Sequence, residues 1–330
     1  MMNTKVQQRI NAYLEKVRAI KQEIKKVIVG QDEIIRLVLI ALFSEGHVLL
    51  EGVPGLGKTM LIRTLGQALD LHFSRIQFTP DLMPADIVGT EILSDVEGTR
   101  SFHFQPGPIF ANLVLADEIN RAPPKTQSAL LEAMQERTVT VAKKTYTLDA
   151  PFFVMATQNP LEMDGTYPLP EAQLDRFFFK IMVDSPSAST LSQIFARTTG
   201  SEVQSASQIA NANDVIVIDK IAKHVAIPSH LNDYVARLIT HTHPKCTDCP
   251  EIVKQYVRYG ASPRGGQAII LGAKVNALLE GRYNVAFDDV KTIAHAALRH
   301  RLLLNFEGLA EEIDPDVIIT EILESTPLGT

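Results

Sequence analysis

Glu51-Gly52-Val53-Pro54-Gly55-Leu56-Gly57-Lys58-Thr59 sets the frame for everything around it. From Gly52 it matches G-x-x-x-x-G-K-[ST] at every fixed position. Phosphate binding needs this spacing. Glycines let successive backbone N–H groups turn into one concavity, a lysine reaches the terminal phosphates, and a hydroxyl ligates magnesium. Background composition gives such a match on the order of once in a hundred chains of this length. Upstream, His47–Glu51 is a short apolar run of strand character, and downstream Met60–Leu69 has helical periodicity. Strand, loop and helix make one βα unit, with the positive end of the helix dipole at the loop.

The pattern continues in both directions. Upstream, Val6, Ile10, Leu14, Val17, Ile20 and Ile24 recur every three or four residues, and a second helical stretch covers Asp32–Phe43. Downstream, Arg75–Phe78, Asn112–Asp117, Phe152–Ala156 and Phe177–Val183 read as strands, and Lys125–Glu136 as a helix. Met83–Val88 fits one or two helical turns, and the segments at about 90–106 and 138–148 read as hairpins. Near Asp184 the character changes. Ser185–Ser189 is linker-like, Gly200–Asn213 is rich in Ser, Asn and Gln, and the helical stretches Ile216–Val225, His230–Thr240, Gly265–Leu279, Phe287–Leu304 and Val317–Leu323 follow. The expected organisation is an α/β domain over 1–184, with a parallel sheet, and a smaller helical domain over 185–330.

Four groups of residues carry chemistry. Besides the loop, the run Leu113–Asp117 ends in the carboxylate pair Asp117-Glu118. An acidic pair at the end of a strand beside a phosphate loop suits magnesium placement by the first and polarisation of an attacking water by the second. The run Phe152–Ala156 leads into Thr157-Gln158-Asn159-Pro160, where a polar side chain is positioned to orient that water. Asn159 is the choice, with Thr157 and Gln158 as substitutes. Arg176 precedes the last strand of the first domain, and Arg264, in Ser262-Pro263-Arg264, opens a helix of the second. Arginine stabilises the charge that develops in phosphoryl transfer, although surface cations and helix ion pairs use the same residue.

Taken in order, these strings resemble the AAA+ ATPases and specifically the MoxR family. The resemblance rests on Ile28-Val-Gly-Gln31, the loop Glu51–Thr59, Gly107-Pro-Ile-Phe-Ala111, Ala116–Pro124, Ala156–Pro160, Leu169–Phe177 and Ser262–Arg264. It implies a P-loop αβα domain with a helical lid. Gly52–Thr59 then corresponds to Walker A and Asp117-Glu118 to Walker B. Asn159 matches sensor 1, Arg176 an arginine finger reaching a neighbour's ATP, and Arg264 sensor 2 touching the phosphates in cis. Val29, Gly30 and Gln31 pass the adenine. Pro54, Gly55, Leu56, Gly57, Lys58, Thr59 and Met60 surround the phosphates, and Thr59 with Asp117 holds Mg2+. The two hairpins correspond to a helix-2 insert and a pre-sensor-1 insert. A finger in trans needs a head-to-tail contact, which closes into a ring. The resemblance therefore implies a homo-oligomeric, hexameric, chaperone-like ATPase that remodels or matures a partner, often one with a von Willebrand factor A domain. Alternatives are a chelatase-type motor subunit and an ATP-dependent assembly switch with negligible turnover.

Composition excludes other classes. The chain has 330 residues, 45% hydrophobic and 21% charged, as in an ordinary globular protein. Its longest apolar run, Leu37–Phe43, is far short of the roughly 20 residues a bilayer span needs. The N-terminal stretch is charged throughout and lacks the apolar core of a signal peptide. A formal charge of −6 gives no general attraction to nucleic acid, and the absence of tryptophan weakens any base-stacking role. Two cysteines fit a reducing cytoplasm. They lie in His241-Thr-His243-Pro-Lys-Cys246-Thr-Asp-Cys249, a departure from the family pattern. Three readings of this loop stand: structural zinc on Cys246, Cys249 and the two histidines, a local disulfide, or an unliganded loop, the last being favoured.

Overall fold

Alternation with period two places successive strand side chains on opposite faces of a sheet, so strands that are apolar throughout must be covered on both sides. In the computed structural model, which describes residues 4–53, 55–96, 99–160, 165–199 and 204–328, this is what the short apolar runs do. The chain begins with helices α1 (Thr4–Val27) and α2 (Asp32–Leu42), then strand β1 (Val48–Glu51), α3 (Lys58–Leu69), β2 (Phe73–Gln77) and α4 (Pro84–Val88). A hairpin, β3 (Gly89–Val96) and β4 (Thr99–Pro106), precedes β5 (Leu113–Asp117) and α5 (Pro124–Glu136). A second hairpin, β6 (Thr138–Val141) and β7 (Lys144–Thr147), precedes β8 (Phe153–Gln158), α6 (Glu171–Leu174) and β9 (Phe179–Met182). The remainder holds α7 (Ala188–Thr198), α8 (Ala212–Lys223), α9 (Ser229–His241), α10 (Glu251–Tyr256), β10 (Val257–Tyr259), α11 (Pro263–Leu279), α12 (Phe287–Leu298), β11 (Leu303–Leu304), α13 (Phe306–Ala310) and α14 (Pro315–Ser325).

The central sheet is parallel, in the order β2-β5-β8-β1-β9. Val48, Leu50, Leu115, Met155 and Phe179 face one side, where they join Leu14, Val17, Ile20 and Ile24 of α1 and Ile269, Ile293 and Ile319 of the later helices in one apolar cluster. Leu49, Val114, Ala116, Val154 and Ala156 face the other side, against Leu130, Leu131 and Met134 of α5. The result is a sheet between two helical layers, the mixed α/β architecture expected from the sequence, with a mostly helical region after β9. Register brings the carboxyl ends of the strands level: Gln77 lies opposite Asp117, and Glu51 opposite Gln158.

Two local readings change, and one hairpin turn gains detail. The stretch Phe287–Leu304 is not one helix: α12 ends at Leu298, and Leu303–Leu304 pairs antiparallel with β10. Between them, Arg299 and Arg301 send their guanidinium groups to backbone carbonyls around β9, contacts that override local helical periodicity. The linker-like Ser185–Ser189 leads into α7, whose cap is Ser187, with Oγ accepting from the Thr190 N–H at 3.2 Å. The β6–β7 turn carries two non-glycine residues with positive φ, Ala142 (46°) and Lys143 (70°), the conformation a two-residue hairpin turn demands. The tip of the first hairpin, Glu97-Gly98, lies outside the described residues.

Candidate nucleotide site

The loop between β1 and α3 is built on left-handed backbone. Gly55 has φ 84° and Gly57 has φ 78°, and a Cβ at either position would enter open space rather than strike the protein. The loop is therefore a cradle with nothing of its own filling it. The helix begins at Lys58, so the N-terminal amides of α3 point into the cradle. Lys58 Nζ donates to the Gly52 carbonyl at 2.5 Å. Burial holds its ammonium below the usual value, while Asp117, Glu118 and Glu51 act in the opposite direction. A cleft of about 410 Å³ opens here, lined by Gly55–Met60 on one side and by Asp117, Glu118, Thr157 and Asn159 on the other. Pro54 lies outside the described residues.

Opposite the loop, the acidic pair is held by side chains from two neighbouring strands. Thr157, on β8 and almost fully buried, donates its hydroxyl to Asp117 Oδ1 at 2.6 Å and accepts from the Glu118 N–H at 2.8 Å. Arg75, on β2, pairs with Asp117 Oδ2 at 2.7 Å. Glu118 has left-handed backbone (φ 57°, ψ 49°), and its carboxylate accepts from Gln77 Nε2 at 2.9 Å and from Arg121 at 3.0 Å. Asn159 is buried at the edge of the same cleft. Thr59 and Asp117, a hydroxyl and a carboxylate in one cleft with Lys58, form a donor set that fits a hard divalent cation.

The predicted base-side residues lie on the adjoining surface. Gln31 Nε2 donates to the Leu56 carbonyl at 2.8 Å, tying the segment before α2 to the loop. A mostly apolar cleft of about 370 Å³ between them is lined by Val29, Gln31, Leu56, Met60, Ile194 and Phe195. Gly30 lines the next cleft, against Thr190.

The two arginines are not in the phosphate cleft. Arg176 sits on the turn between α6 and β9 and does not line it; no ion pair engages its side chain among the described residues. Arg264 does not line this cleft. It lies 3.6 Å from the Asp175 carboxylate, directly beside Arg176 in sequence. Ser262, at the start of α11, and Arg301 also converge on Asp175, which anchors this end of α11 to the turn that carries Arg176.

The His241–Cys249 loop does not assemble a metal centre. His241 Nδ1 is engaged with Thr326 Oγ1 at 2.8 Å, and His243 Nε2 with the Ala261 carbonyl at 3.1 Å. Cys246 and Cys249 are free thiols, and the Cys249 Sγ turns to the Cys246 carbonyl. No group of three or more metal-capable side chains forms among the described residues. One ring nitrogen of each histidine is thus engaged with the protein's own polar groups.

Sequence reasoning passed over Thr157, taking it only as a substitute for Asn159, and missed Arg75 and Gln77. The available signal was a pair of polar residues spaced by two near the end of a short strand, which puts both on one face.

A parallel αβα sheet, a glycine-rich loop running into a helix, and an acidic pair on the next strand but one define a P-loop nucleotide-binding protein. Comparison with known proteins narrows the class. Residues 47–179 match the model of the ATPase family associated with various cellular activities (AAA), and residues 250–322 match that of the AAA lid domain. The chain is 46% identical to Chaperone MoxR1 of Mycobacterium tuberculosis, over 93% of this chain and 80% of that one. It is 30% identical to the protein MoxR of Methylorubrum extorquens, over 93% of each. A crystal structure of an ATPase candidate from Cytophaga hutchinsonii, 40% identical, superposes with a TM-score of 0.92 over 98% of both chains. This chain belongs to the MoxR family of AAA+ ATPases.

Proposed function

We propose that this chain hydrolyses ATP with Mg2+ in sites shared between neighbouring subunits of a head-to-tail ring, hexameric by family resemblance, and that the cycle remodels or matures a partner protein. One observation carries the reading. Lys58, Thr59, Asp117, Glu118 and Asn159 converge on one cleft, while Arg176 stands off it without an ion pair among the described residues. A site of that kind has groups for binding and water activation, and its own cations are committed, Lys58 at the loop and Arg75 to Asp117, so the developing charge is left to be met from elsewhere. A neighbour's Arg176 would supply it, and a heterologous contact repeated to closure gives a ring.

The residue roles follow. Lys58 and the backbone N–H groups of Gly55 through Thr59 hold the phosphates, and Val29, Gly30, Gln31 and Met60 flank the base. Thr59 and Asp117 would hold Mg2+, which neutralises phosphate charge when bound. Glu118 accepts the proton of the water that attacks the terminal phosphorus as its bond to the bridging oxygen breaks, and Asn159 aligns that water. The shared Asp175 supports a role for Arg264 at the subunit boundary with Arg176. The division near Asp184 separates the nucleotide-binding part from the lid. The name of the mycobacterial relative, a chaperone, supports a protein client, and a von Willebrand factor A domain partner is the family-based expectation. No helix among the described residues is long and apolar enough to cross a membrane. That is compatible with work in the cytoplasm.

A second reading has its own support. Gln77 and Arg121 both hold Glu118 at Oε2, which ties that oxygen to the protein and leaves it a poorer proton acceptor. An assembly switch with negligible turnover would look the same. The test is ATP hydrolysis by the purified chain as a function of its own concentration, beside Glu118→Gln. Specific activity that rises with concentration and vanishes in the variant supports the shared-site enzyme. Tight ATP binding with flat background turnover at every concentration refutes it in favour of the switch.

A further inference from the structure

The turn that carries Arg176 is fixed by a buried guanidinium from the lid. Arg301 is only 3% exposed at its side chain. Its Nε donates to Asp175 Oδ1 at 2.8 Å. Its Nη2 donates to the Asp175 carbonyl at 3.0 Å and to the Phe177 carbonyl at 2.7 Å, and its Nη1 to the Phe178 carbonyl at 3.2 Å. Arg301 thus grips the backbone on both sides of Arg176. His300 adds a second hold, its Nε2 on the Phe177 carbonyl at 3.0 Å. From the start of α11, the Ser262 hydroxyl reaches both Asp175 oxygens, at 2.9 and 3.0 Å. Two separate points of the lid, the first turn of α11 and the turn after α12, therefore close on one carboxylate and two flanking carbonyls. A planar fork suits this work, because it holds several acceptors in fixed directions.

We infer that Arg301 and Asp175 are positioning residues for Arg176: they lock the finger turn to the lid, so that the lid of one subunit sets how its Arg176 meets the nucleotide of the next. The inference rests on the reading of Arg176 as a finger acting in trans. A displacement of about 1 Å in a reacting group costs on the order of a hundredfold in rate, so a lock of this kind has a measurable consequence. It also gives a direct route from lid movement in one subunit to catalysis in its neighbour.

Subunit mixing tests it. Finger donors carry Lys58→Ala, and site donors carry Arg176→Ala. The control mixture of the two regains ATP hydrolysis if the finger acts in trans. Asp175→Asn is then added either to the finger donor or to the site donor, with Arg301→Lys as a second variant that keeps the charge and loses the fork. A positioning role predicts a roughly ten- to hundredfold loss of the regained activity when the change is in the finger donor, and less than a twofold loss when it is in the site donor. Nucleotide affinity should be unchanged in both arrangements. Equal loss in both placements means a structural role, and no loss in either means no role; each overturns the inference. Failure of the control mixture removes the trans finger itself, and the inference falls with it, by a result distinct from the other two.

Discussion

Thr157→Val is the most informative single change at this site. It keeps the shape of a nearly fully buried side chain and deletes one oxygen. That oxygen makes two bonds, accepting from the Glu118 N–H at 2.8 Å and donating to Asp117 Oδ1 at 2.6 Å. The first helps to hold a non-glycine residue at φ 57°, a conformation that costs roughly 1–2 kcal/mol. The second is a hydrogen bond to a carboxylate, worth about 1.5–3 kcal/mol. The extra buried methyl returns about 0.8 kcal/mol. The net expectation is a loss of about 1–3 kcal/mol, concentrated in the geometry of the acidic pair. If most of it appears in the transition state, kcat falls roughly ten- to hundredfold, since about 1.4 kcal/mol is tenfold. The cradle itself is untouched, so the affinity for ATP should move less than about threefold. Steady-state kinetics on Thr157→Val and Thr157→Ser, beside urea denaturation and a magnesium titration, read this out. Serine keeps the hydroxyl and should restore most of the rate. Wild-type turnover in the valine variant would refute the reasoning, and so would equal damage in both variants, which would make the methyl rather than the hydroxyl responsible.

Other expectations are shorter. Gly57→Ala forces a side chain into left-handed backbone (φ 78°), costing about 1 kcal/mol of stability, and puts a methyl into the open cradle; binding of a fluorescent ATP analogue should fall more than about tenfold while the melting temperature shifts little. His47 is buried and pushed down to about 3, chiefly by burial and then by Arg137. His300 is also held neutral by burial, with Arg301 adding to the effect. The folded state thus binds fewer protons than the unfolded one below about pH 6.5, so stability is retained above that pH and lost as pH falls toward 3, by about 1.4 kcal/mol per pH unit for His47, with His300 acting in the same direction. Urea unfolding at neutral and mildly acidic pH should show this loss, and His47→Gln should flatten the acid slope by about one proton; an unchanged slope would exclude His47 as a source. Metal analysis of the purified chain should find no stoichiometric zinc, and one equivalent retained through chelator treatment would contradict the loop geometry.

Much of this protein was legible in one dimension because the relevant physics is local. The phosphate loop needs its glycines, lysine and threonine contiguous, so Gly52–Thr59 announces both itself and the strand and helix on either side. Short, fully apolar runs such as Leu113–Ala116 identify strands covered on two faces, and their order already implies a parallel sheet. Asp117 and Glu118 are readable for the same reason, as a polar pair at the end of such a run. What acts on those residues is not local. Arg75 and Gln77 reach the acidic pair only because parallel register sets β2 beside β5, and Thr157 only because β8 lies on the other side. The His241–Cys249 loop has ligand-like spacing, yet one nitrogen of each histidine is engaged outside the loop, by Thr326 and by the Ala261 carbonyl. Arg264 lies beside Asp175 because Ser262 and Arg301 bring the start of α11 to that carboxylate. Spacing along a chain fixes which atoms share a turn or a strand face; which side chain satisfies a given carboxylate is decided by packing, among partners that sequence distance does not rank.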